Sequence, residues 1–110
     1  MSQETRRFMR LIVFFDLPTV SKADKRAYTV FHRFLVQDGY EMLQWSVYAR
    51  IANGEDDVRK HQQRLVVNLP NKGSVRCMKV SEKQYAAMDI LVGTLTVQEE
   101  KIGKQQLLLF

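Results

Sequence analysis

The segment RLIVFFDLPT, Arg10 to Thr19, drives five consecutive apolar residues into one aspartate and then a Leu-Pro turn. A carboxylate at the end of a buried strand is a common seat for a divalent metal, because hard ions such as magnesium take oxygen ligands. One aspartate is too few. Asp24 falls on the helix that follows and Asp38 at its far end, so no second carboxylate converges on Asp16 within one chain. Two copies related by a two-fold axis would supply a matched Asp16 pair. The bare pattern equally suits a turn residue ahead of Leu17-Pro18.

The basic residues suggest a second chemistry. Lys22, Lys25, Arg26 and Arg33 fall on the outer arc of a predicted helix, and Arg6, Arg7 and Arg10 precede the first strand, a set able to meet several phosphates. Arg59, Lys60 and Arg64 are mixed with Glu55, Asp56 and Asp57 and read as an ordinary solvated face. Ser46, in QWSVY, has a hydroxyl able to donate a hydrogen bond to a ligand. His32 and His61 each stand alone on a helix and read as surface or boundary residues. Cys77 is the single cysteine, which excludes an internal disulfide, and its apolar flanks suggest a buried thiol. Trp45 and the Phe31-Phe34 pair read as core.

These residues need a frame. FMRLIVFFD predicts a strand buried on both faces, since its apolar residues are continuous rather than alternating. SKADKRAYTVFHRFLVQDG predicts a helix with Ser21 and Asp24 as a capping box and Gly39 as its stop. In EMLQWSVYARI, Leu43, Trp45, Val47, Ala49 and Ile51 alternate with polar positions, the period of a strand with one buried face. Met42 beside Leu43 breaks the phase, so the segment is a bent strand or two strands. Asn53-Gly54 turns into a second helix, with Val58, Leu65, Val66 and Leu69 as its inner stripe and Pro70 and Gly73 beyond its end. SVRCMKV resumes a strand, SEKQYAAM reads as a short helix capped by Ser81 and Gln84, DILVG and TLTV as short strands, QEEKIGK as a connector and QQLLLF as a final strand.

The order is that of an α+β, ferredoxin-like βαββαβ sandwich with an antiparallel sheet. An exposed Leu-Leu-Leu-Phe terminus invites aggregation, so that strand is expected on a sheet edge, which in so small a chain belongs to a second subunit. The division expected is an extension over 1–8, the domain over 9–97, and a connector with the dimer-exchanged strand over 98–110.

At 110 residues, 45% apolar and 26% charged, the chain suits one soluble domain. It has no apolar run long enough for a bilayer and no signal-peptide core at its start, so a cytoplasmic protein without a membrane partner is expected. Seventeen Lys and Arg against twelve Asp and Glu give a formal charge of +5, which favours an anionic partner.

MRLIVFFDLP, KRAYTVFHRFLVQDGYEMLQWSVYARI and NLPNKGSVRCMKVSEKQY together resemble the small CRISPR-associated protein two family, which acts beside the CRISPR integrase in spacer acquisition. ILVG and QLLLF resemble the subgroup found beside the single-protein RNA-guided nuclease, and Met9 resembles the usual family start. The resemblance implies a homodimer whose last strand packs on the partner's sheet. It also implies that Asp16 matches the aspartate of a magnesium-dependent nuclease activity and faces its symmetry mate. The family's usual tyrosine before that aspartate is Phe15 here. The reading is therefore a dimeric bridge between integrase dimers that grips duplex DNA through Lys22, Lys25, Arg26, Arg33 and Arg10. The alternative is a magnesium-dependent endonuclease, on RNA or DNA, using the two Asp16 carboxylates.

Overall fold

The computed structural model describes residues 8–100. They run β1 (Phe8–Asp16), α1 (Lys22–Gln37), β2 (Glu41–Gln44), β3 (Val47–Asn53), α2 (Glu55–Val67), β4 (Ser74–Ser81) and α3 (Glu82–Ala86). The sheet order is β2-β3-β1-β4 with every pairing antiparallel, the ferredoxin-like arrangement. Its central position explains the unbroken apolar run of β1, which needs partners on both edges and apolar side chains on both faces.

On one face Leu11, Val13 and Phe15 pack with Phe31 and Leu35 of α1, Leu65 of α2, and Tyr40 and Tyr48. On the other, Ile12 and Ala49 are covered by Tyr85 of α3, with Leu43, Val47 and Val80 around them. That second face is only partly covered, and Phe14 and Met78 remain 37% and 47% exposed.

α1 starts as its sequence dictates: the Ser21 hydroxyl accepts from the Asp24 amide at 3.0 Å and the Asp24 carboxylate accepts from the Ser21 amide at 3.2 Å. Gly39, at φ 91°, provides the left-handed residue after its end. Ser81 and Gln84 form the expected box on α3.

The EMLQWSVYARI segment resolves into two strands, with a register shift between Met42 and Gln44 and a turn at Trp45-Ser46. The face expected to be buried is buried only in part, with Ala49 enclosed and Leu43 and Val47 packed beside it, and the opposite face is buried as well. Tyr48 and Ala52 enter the core beneath the helices, whereas Val47 and Ile51 lie on the less covered face. The alternation misled because the polar ends of Tyr48 and Arg50 find partners within the helix layer, so these residues pack inward despite their type.

Val66 of α2 and Leu69, which lies beyond the end of the helix, are exposed, and His61 takes the inner position of α2 beside Val58 and Leu65. Residues 89–96 form bends and irregular chain rather than the two expected short strands, and residues 97–100 are helical rather than a plain connector. The expected final strand QQLLLF, and with it the exchange across a dimer, lies outside the described residues. So do residues 1–7. No helix among the described residues is long and apolar enough to cross a membrane.

Candidate nucleic-acid interface and metal site

Asp16 is the last residue of β1, exposed, and opposite Ser74 in the β4 register. Side chains alternate along a strand, so Asp16 shares its face with Phe14, Ile12 and Arg10, away from α1 and α2. Across the sheet that face carries Ser74 and Arg76 of β4 and Val47 of β3. Asp16 therefore sits at the corner of the partly covered apolar face, two register positions from an exposed arginine. Phe15 points the other way, into the aromatic core, stacked on Tyr48 at 5.6 Å between centroids and edge-on to Phe31 at 5.2 Å. A tyrosine there would extend its hydroxyl into the helix layer rather than toward Asp16.

The strand end is held by a close approach. Gly73, at φ 90°, lies where a Cβ would meet the Asp16 carbonyl oxygen at 2.5 Å, so the loop entering β4 presses directly on the backbone that carries the carboxylate.

Lys22, Lys25, Arg26 and Arg33 are all exposed on α1, as expected. Among the described residues none of them has a carboxylate within ion-pair distance. Arg26 and Lys72 also border a cleft of about 560 Å³ between the start of α1 and the loop after α2, floored by Leu17, Ala27 and Leu69.

Arg10 does not belong to this surface. It is 1% exposed, its Nε donates to Glu82 Oε1 at 2.8 Å, and its guanidinium lies 4.3 Å from the centre of the Tyr85 ring. Both the charge and the planar group are committed to fastening α3 onto β1, which removes Arg10 from phosphate contact. Ser46 is half-buried at the β2–β3 turn with φ 64°, and its carbonyl accepts from the Phe15 amide at 3.1 Å.

Three further expectations are corrected. Cys77 is exposed, because among the described residues β4 is an edge strand and the helices do not cover its outer positions. Trp45, expected in the core, is 74% exposed and stacked on Tyr28. His61 is buried rather than superficial, with Nδ1 2.8 Å from Asp38 Oδ2 and Nε2 3.3 Å from Asp57 Oδ1. His32 is exposed as expected, its Nδ1 sharing a hydrogen bond with the Tyr48 hydroxyl.

The family model described as "CRISPR associated protein Cas2" matches residues 9–88, from the start of β1 past the end of α3. The chain belongs to this family. A protein of Acidovorax ebreus is 61% identical over 102 residues, covering 93% of this chain and 100% of its own length. A Campylobacter jejuni protein is 36% identical over 94% of this chain and 73% of its own length, and one from Flavobacterium psychrophilum 33% identical over 94% and 90%. Each carries the name CRISPR-associated endoribonuclease Cas2.

The family match includes Asp16, the four α1 cations, Ser46 and Arg76. Among the described residues of this Cas2-family chain, no three His, Cys, Asp or Glu side chains converge to hold a metal. Asp16 is the right donor type for a hard cation but supplies one ligand, so a complete site needs oxygens from a second copy or from a phosphate. Ser74 and Arg76 escaped the sequence reading because only the β1–β4 register puts them on the face of Asp16.

Proposed function

We propose that this Cas2-family chain works as a homodimeric, metal-dependent endonuclease of the CRISPR system, with the Asp16 carboxylates of two copies at one shared site. The observation that carries the reading is the position of Asp16, an exposed carboxylate at the corner of an incompletely covered apolar sheet face. Two such faces packed together would remove Phe14 and Met78 from water and bring the Asp16 corners into one interface. Like charges there would oppose joint ionisation, which gives the pair an affinity for a cation. Magnesium, held by Asp16 and its counterpart, would supply charge stabilisation at the phosphoryl oxygens and a more acidic water. Asp16 itself would hold the cation, while Arg76 on the same face is available to a substrate phosphate. The endoribonuclease name of the relatives supports RNA as a substrate.

The test is Asp16→Asn assayed on single-stranded RNA and on duplex DNA, with magnesium and with chelator. Cleavage is expected to fall to the chelator level while nucleic-acid binding persists. Wild-type cleavage by the variant would overturn the reading.

A second reading has its own support: the exposed cations of α1 lie on the helix layer, not on the face of Asp16, so they can grip nucleic acid without serving cleavage. In this reading the dimer is the bridge between integrase dimers in spacer acquisition, bound to duplex DNA. Asp16→Asn would then leave acquisition intact. Replacing Lys22, Arg26 and Arg33 by Ala would flatten the salt dependence of duplex binding, by a slope of about 0.9 for each phosphate no longer neutralised. Loss of acquisition in a folded, integrase-binding Asp16→Asn dimer would defeat the bridge.

A further inference from the structure

Among the described residues nothing in the fold requires the exposure of Trp45. A two-residue turn between β2 and β3 imposes no need for an aromatic side chain, and burying an indole is among the most favourable uses of an apolar residue. Here the indole is nevertheless 74% exposed. Its ring lies nearly parallel to that of Tyr28, at 21° with centroids 6.0 Å apart. Tyr28 in turn meets the ring of Phe15 edge-on at 6.0 Å, and Phe15 is part of the core. The turn is pinned too, since Ser46 adopts φ 64° and its carbonyl accepts from the Phe15 amide. That backbone conformation costs about 1 kcal/mol for a residue with a Cβ. One face of the indole is backed by a chain of rings reaching the core, and the other is open to solvent.

We propose that Trp45 is a stacking platform for an unpaired base of a single-stranded nucleic acid, with Tyr28 as its backing. This rests on the nucleic-acid reading above and extends it to the kind of strand bound. The occupant follows from charge. Lys25 lies one helical turn before Tyr28 on the side of α1 that faces the turn, and is exposed without a carboxylate partner among the described residues. Lys22, Arg26 and Arg33 continue the positive surface along the crest of α1. An aromatic ring set beside a track of cations is the pairing that binds single strands, base on ring and phosphate on ammonium. Closed duplex offers no free base face, so its binding would use the cations alone. The platform also adjoins the Asp16 end of β1, because Ser46 is hydrogen-bonded to Phe15, the residue next to Asp16. A strand stacked on Trp45 would be held at the rim where the carboxylate stands.

Trp45 is the only tryptophan, so its fluorescence reports the contact without labelling. The experiment titrates the protein in chelator, where no cleavage enters, with short oligothymidylate, short oligouridylate and covalently closed plasmid duplex. Saturable quenching by the oligonucleotides and little by the plasmid is expected. Trp45→Ala should weaken oligonucleotide binding about tenfold, leave plasmid binding unchanged, and be largely rescued by Trp45→Phe. Oligonucleotide binding without quenching, or with unchanged affinity in Trp45→Ala, overturns the platform while leaving the nucleic-acid reading in place. An equal loss for oligonucleotide and plasmid, not rescued by Phe, also overturns it, by assigning Trp45 a role in the fold. Absence of binding to every probe would remove the nucleic-acid reading itself.

Discussion

Asp38 carries more of the architecture than its place at the end of α1 suggests. Its carboxylate accepts from Arg64 Nη1 at 2.7 Å and meets His61 Nδ1 at 2.8 Å, while Arg50 donates to its backbone carbonyl, so one residue ties α1, β3 and α2 together. Burial alone would raise its pKa, but the hydrogen bonds from His61 and Arg64 and their charges outweigh it and hold the carboxyl below its ordinary value of 3.8. Asp57, on the other side of the His61 ring, is lowered in the same direction, first by the hydrogen bond from the Asn53 amide. A folded-state pKa depressed below the unfolded one gives stability that is present above 3.8 and lost as the pH falls through the folded value. Denaturant unfolding should therefore show a midpoint that is flat near neutrality and drops as the pH falls below that of an ordinary carboxylate. Asp38→Asn should cost about 1–3 kcal/mol at neutral pH and make the acid drop shallower. An unchanged pH profile in the variant would assign the acid sensitivity elsewhere.

The elements that flank Asp16 make a prediction of their own. Gly73 combines a positive φ with a backbone that presses on the Asp16 carbonyl, so Gly73→Ala adds both conformational strain and a collision with main chain that has little room to yield. A loss of about 1–3 kcal/mol in stability is expected, with a larger effect on cleavage than on binding to the α1 cations, because the displaced atoms carry the carboxylate. Equal effects on both would show that the loop serves only the fold. This coupling was invisible in the sequence, where Gly73 reads simply as the end of a helix. The elements themselves were legible because local chemistry specifies them: capping boxes at Ser21 and Ser81, a left-handed Gly39, a continuous apolar β1. What failed was the assignment of polar and amphipathic residues to inside or outside. Arg10 and His61 look superficial by type, yet each is enclosed by a carboxylate that only the tertiary fold supplies. Cys77 and Trp45 look internal by type, yet among the described residues one lies on an edge strand and the other at a turn where Tyr28 backs only one side of the ring. Pattern reading sees a residue's own preference, whereas burial is decided by partners distant in sequence.

At the scale of the whole molecule, the sheet has one face sealed by α1 and α2 and one on which α3 covers only part of the apolar surface. Phe14, with Met78 diagonal to it through the β1–β4 register, forms the exposed remainder, and Asp16 lies at its corner. If this face joins two copies, a charge placed in it should separate them without harming the fold, since both side chains already meet solvent. Phe14→Glu combined with Met78→Glu is expected to give a monomer by light scattering, with thermal unfolding close to that of the parent. Cleavage should then disappear although Asp16 is intact, because a lone carboxylate holds a cation weakly. Binding to duplex should survive with a smaller salt slope, since each monomer keeps its own α1 cations but meets fewer phosphates. A monomer that cleaves as well as the parent would show that Asp16 needs no counterpart. A variant that remains dimeric would move the interface to another surface, and with it the reason for placing the carboxylate at this corner of the sheet.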